Sequence, residues 1–178
     1  MPTMTLPVDN VVTYVSGEWD ANTGYTYDAV STNDGDTTYI AEGDDGHGIL
    51  FRLTDPTVAS GGISSITSIQ LLTYGKLHVR SGGDGRVTFQ FTNFPSNVSA
   101  EAIVYPNSGA YQSRNGAAIT TNSSGGSITY SNLEDVRILV LKNGYSSTPV
   151  QITYIAIEVV YVAAVAGDDA IFFGHNFK

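Results

Sequence analysis

Six aspartates fall in one glycine-rich stretch of this chain: Asp20, Asp28, Asp34, Asp36, Asp44 and Asp45. Clustered carboxylates on turns are what Ca²⁺ takes, since it needs about six to eight hard oxygen ligands. The spacing of an EF-hand loop with its closing glutamate is absent, and Asp also favours turns for local reasons. Asp34, Asp36, Asp44 and Asp45 therefore stand as calcium candidates against a background of solvated turns. The histidines His47, His78 and His175 are far apart and cysteine is absent, so no zinc set converges. Glu101, Glu134 and Glu158 are carboxylates of the type glycoside hydrolysis uses in pairs. Glu158, inside an apolar run, is expected instead to pair with Arg80, Arg86 or Arg137, or to lie at an edge. No Gly-x-Ser-x-Gly elbow and no phosphate loop occurs. The chain reads as a non-enzyme without a cofactor.

Aromatic rings offer a different chemistry. Trp19, Tyr25 and Tyr27, or Tyr105 and Tyr111, have the faces needed to stack on sugar rings. The competing reading is that they close the ends of a hydrophobic core, where large rings are routine, and the sequence favours that second use.

Such residues must be held by strands. The 178 residues include 11 Tyr, 7 Phe and 19 Gly, a composition suited to pleated, half-buried surfaces joined by turns. A chain this long folds as one domain without disulfide or metal. Alternation places Val87, Phe89 and Phe91 on one face of a strand and Thr88 and Gln90 on the other. Further strands are expected at 11–14, 37–41, 49–53, 69–80, 102–105, 117–121 and 136–141. The last, 151–164, is apolar on both faces, so it is expected to be central and covered on both sides. Ile63, Ile66, Ile69 and Leu72 have helical spacing, but the Ser and Thr between them favour a strand. No stretch reads as a convincing helix. The whole predicts an all-β, antiparallel, jelly-roll-like sandwich.

The formal charge is −9, with eight Lys and Arg scattered along the chain. That argues against nucleic acid and anionic membranes as partners, because affinity for both comes from clustered cations. The stretch 150–166 is too short and too polar to span a bilayer.

Several segments carry a resemblance. Asp34-Gly-Asp-Thr-Thr-Tyr-Ile40 is followed by Phe51-Arg-Leu53 and by Ile63-Ser-Ser-Ile66. Later come Leu133-Glu-Asp-Val-Arg137 and the closing Gln151-Ile-Thr-Tyr-Ile-Ala-Ile-Glu-Val-Val-Tyr161. Over residues 10–162 this resembles a diffuse class of jelly-roll-like modules of phage structural proteins and of some extracellular bacterial proteins. The resemblance implies a sandwich and carries no catalytic residues.

The termini extend that reading. Residues 167–178 hold Ile171, Phe172, Phe173 and Phe177, an apolar run where chain ends are usually polar. Residues 1–10, with Met4 and Leu6 between prolines, read as a second arm. Two apolar arms on a sandwich of 11–166 suggest a capsid-decoration or similar virion protein. It would be homo-oligomeric and would bind neighbouring subunits at the particle surface. The alternative is an extracellular carbohydrate-binding module, with glycans as its partners.

Overall fold

The computed structural model describes residues 1–17, 19–21, 28–35, 37–42, 46–77, 85–92, 98–105, 109–122, 125–143 and 149–165. Met4, Leu6 and Val8 alternate with Thr3, Thr5 and Pro7, the period of a strand with one buried face. They belong to β1 (Thr3–Ser16), which is followed by β2 (Asp20–Ala21), the single-turn helix α1 (Asp28–Ser31), β3 (Ile40–Glu42) and β4 (Gly48–Leu53). A 3₁₀ turn at Ser60–Gly62 leads into β5 (Ile63–Leu77). Next come β6 (Gly85–Thr92), β7 (Val98–Tyr105), β8 (Gln112–Ser113), α2 (Tyr130–Asp135), β9 (Arg137–Asn143) and β10 (Val150–Ala163).

Among the described residues the strand pairings are all antiparallel and form two sheets, as expected of a jelly-roll-like sandwich. In one sheet β10 is central. β5 runs along one of its edges, with β8 beyond, and the start of β1 and then β3 and β2 lie on the other. The second sheet runs β1-β4-β9-β6-β7. β1 belongs to both. Its residues Thr3–Pro7 pair with β10, and from Val8 onward it pairs with β4. The change falls at Pro7, which has no N–H to continue a ladder; its carbonyl accepts from the Thr54 N–H at 2.8 Å. Beyond it Arg52 grips Asp9 with two nitrogens, at 3.0 and 2.6 Å.

The core fills the space between the sheets. Leu6, Ile157 and Leu71 lie side by side on β1, β10 and β5, all buried. Val87, Phe89 and Phe91 are buried as their alternation predicts, as are Ile138 and Val140. β10 has buried residues on both faces, including Ala156 opposite the Ile155–Ile157–Val159 row. The stretch 63–72 is strand, so its Ser and Thr decided against its helical spacing.

Three expectations need correction. Residues 1–10 are not an arm, and Met4 and Leu6 are not interface residues. They are 6% and 0% exposed, inside the chain's own core. The prolines on either side gave the segment the look of a linker, while the alternation between them belonged to a strand. The chain also contains a helical turn that its sequence hides. In α2 the Asn132 side chain accepts from the Thr129 N–H at 2.8 Å, and Leu133 is buried beneath. Six residues are too few to display a helical period. Finally, 117–121 makes only the single bridge Ile119–Ile69 rather than a strand. The apolar run with Ile171, Phe172, Phe173 and Phe177 lies outside the described residues.

β1 is followed by Gly17, whose φ of +64° is left-handed. A Cβ there would lie 2.2 Å from the His47 ring. Gly17→Ala should therefore destabilise the domain by roughly 2–5 kcal/mol, from about 1–2 for the backbone and 1–3 for overpacking. Urea denaturation checks this; a change under about 0.5 kcal/mol would show that this corner yields freely.

Candidate functional site

Among the described residues, those singled out in the sequence do not converge. Trp19 is 2% exposed, so it is core and offers no stacking face; among the described residues its indole N–H has no hydrogen-bond partner. Tyr25 and Tyr27 lie outside the described residues, as do Asp36, Asp44 and Asp45. The Asp34 carboxylate accepts from the Thr38 hydroxyl at 2.8 Å and the Thr38 N–H at 3.3 Å, closing a local turn. Among the described residues no three His, Asp or Glu side chains are grouped to hold a metal ion. Glu158 does not pair with Arg137, whose guanidinium donates to the carbonyls of Asp135 and Val136 in the other sheet. It lies half-buried, with Thr5 and Gln70 as its cross-strand neighbours.

The side chains suited to chemistry gather elsewhere, on the outer face of the sheet built around β10. On that strand Ile155, Ile157 and Val159 turn to the core, which leaves Tyr154 and Glu158 on the opposite face. On β5, Ile69 and Leu71 are core, so Gln70, Leu72 and Tyr74 alternate outward. Tyr154 and Tyr74 are cross-strand neighbours, and so are Gln151 and Lys76. The segment around β8 then adds a third ring. Tyr111 stacks on Tyr74 with ring centroids 5.7 Å apart and planes at 21°. Its hydroxyl donates to the Gln151 side chain at 3.1 Å, and the Lys76 ammonium sits 4.2 Å from its ring centre.

This face is held rigidly. The chain from Gln112 to Ile119 runs along the outer edge of β5. The Arg114 N–H donates to the Thr73 carbonyl at 2.9 Å, and Gly116 and Ile119 bond to Leu71 and Ile69 in the same way. Gln70 donates to the Gly116 carbonyl at 2.7 Å, and Thr73 donates to the Arg114 carbonyl. Arg114 in turn donates to Gln112 at 2.8 Å. Partial burial raises the Tyr154 pKa above its ordinary value of 10.0, because desolvation disfavours the phenolate. The phenol is thus neutral at physiological pH, both donor and acceptor. Three half-buried rings, with the amides of Gln70 and Gln151 and the Lys76 ammonium beside them, make a surface with apolar faces and hydrogen-bonding rims.

Sequence reasoning named Tyr111 but paired it with Tyr105, and it missed Tyr74 and Tyr154. The signal was the outward alternation Gln70, Leu72, Tyr74 and Lys76 along a strand whose register was still unknown.

Neither a protein-family model nor a curated protein sequence matches the chain. Among solved structures it is similar to the catalytic domain of Agl-KA, at 13% identity over 95% of this chain and 30% of that one, with a TM-score of 0.50. It is also similar to the CBM36-1 domain of a multidomain xylanase from the hindgut metagenome of Trinervitermes trinervoides. There the identity is 9% over 92% of this chain and 100% of that one, with a TM-score of 0.47. The CBM22-1 xylan-binding domain from Paenibacillus barcinonensis gives 11% identity over 90% and 95%, with a TM-score of 0.46. At such identities likeness bears on the fold alone, and no residue role is carried across.

Proposed function

We propose that the chain is a non-catalytic carbohydrate-binding module that holds a polysaccharide on the outer face of the β5–β10 sheet. The observation that carries this is the stacked pair Tyr74–Tyr111 beside Tyr154, with Gln70 and Gln151 on the same face. A pyranose has an apolar C–H face and a rim of hydroxyls. Tyrosine rings match the first and primary amides the second, since an amide both donates and accepts. The net charge of −9 disfavours polyanions as ligands. A module of this kind works where polysaccharide is, outside the cell. The virion reading drew on a resemblance and on two apolar arms, and one of those arms is the first strand of the core.

Affinity electrophoresis through gels containing soluble glucan, xylan or galactan tests the proposal. At least one should retard the protein. Tyr154→Ala and Tyr74→Ala should each weaken binding about tenfold or more, because truncating an aromatic anchor costs about 1.4 kcal/mol or more. Melting curves must show both variants folded. If folded variants bind as well as the parent, the face is not the site.

A further inference from the structure

At the far end of β5 from Tyr74 lies a cleft of about 360 Å³, open to solvent. One wall is the start of β5 and the other is the approach to α2, residues 127–130. From these features we infer a second ligand site, one that takes a single neutral sugar residue such as the end or a branch of a chain. It goes beyond the tyrosine face and does not depend on it. Ile66 and Tyr74 are eight positions apart on one strand, roughly 26 Å.

The lining selects the ligand. Ile66 and Ile128 are buried and Ile63 is partly so, giving the cleft an apolar side. Ser64, Ser65, Ser127 and Thr129 line it at exposed positions, and so does the half-buried Tyr130. Among the described residues no charged side chain lines it. An ion entering would give up hydration without gaining a counter-charge. A hydroxyl both donates and accepts, as a sugar hydroxyl does, so each can satisfy the other in either direction. The volume falls at the small end of ligand pockets.

Both walls are fixed by the fold. Ile63, Ser65 and Ile66 pair with Ala163, Val162 and Tyr161 of β10. Opposite them, the Ser127 carbonyl accepts from the Asn122 side chain at 3.2 Å, and the Thr129 N–H is held by Asn132. The Thr129 hydroxyl lies 3.0 Å from that of Ser131. The site uses these side chains and not the backbone N–H groups of the short α2.

Titrating the full chain with D-glucose, D-xylose or D-galactose, followed by amide NMR shifts, provides the test. D-Glucuronate serves as the charged control. At least one neutral sugar should give saturable shifts confined to residues 63–66 and 127–130, with a Kd in the millimolar range. Ser127→Trp, at an exposed position, should fill the cleft and weaken binding at least tenfold in a protein with unchanged melting. Tyr74→Ala should leave these shifts intact, which separates this site from the tyrosine face. Absence of saturable shifts there with all three sugars, equal response to glucuronate, or binding that survives Ser127→Trp would each overturn the inference.

Discussion

Deleting residues 1–8 should leave a chain that no longer melts cooperatively. A segment that merely decorated a finished sandwich would come off without changing its melting. Here it supplies Met4, Leu6 and Val8 to the core, at 6%, 0% and 1% exposure. It also pairs with β10 from Thr3↔Val160 to Pro7↔Ala156. Its loss uncovers the edge of the central strand. It also removes the half of β1 that joins one sheet to the other. Truncating one buried Leu or Met to Ala already costs about 2–5 kcal/mol. Whole domains are stable by only about 5–15 kcal/mol, so the loss of three such side chains along with their strand is expected to exceed the total. Far-UV circular dichroism during heating reads the result. A sharp transition within a few degrees of the parent's would restore the arm reading.

That error shows which parts of the fold the sequence could disclose. Where alternation ran uninterrupted, as in Val87–Phe91, the strand was legible because one physical cause, a buried face, sets the pattern; residues 151–164 were legible as a long β-branched run apolar on both faces. At residues 2–8 the same cause acted, but Pro2 and Pro7 gave a competing signal. Proline was read as marking a linker, when Pro7 marks the point where a strand leaves one sheet for the other. Trp19 was ambiguous for a related reason: the same ring serves a core or a ligand, and burial alone decides between them. The tyrosine face was less legible still. Tyr111 meets Tyr74 only because the stretch from Gln112 to Ile119 lies along β5, and no local pattern announces that pairing. The acidic turns were legible only as turns, and the one described candidate, Asp34, spends its carboxylate on Thr38.

The strand most securely read from sequence gives the sharpest test of the core. Ile157 is fully buried on β10, with Leu6 as its neighbour on one side and Leu71 on the other, both buried. With close-packed neighbours on both flanking strands, the site has little room to collapse after truncation. Ile157→Ala should therefore cost about 2–5 kcal/mol, toward the upper end, while Ile157→Val should cost about 0.5–1.5 kcal/mol. For a domain of this size each kcal/mol lowers the midpoint by roughly 2–4 °C, so the alanine variant should melt some 4–20 °C below the parent. Leu6→Ala should cost a comparable amount. Because the two side chains share one patch of core, the double variant should depart from additivity by at least about 0.5 kcal/mol. Urea denaturation of the parent, the singles and the double measures all of this. A loss under about 0.5 kcal/mol for Ile157→Ala would make β10 peripheral. Strict additivity with Leu6→Ala would mean that β1 and β10 do not share the core that joins the two sheets.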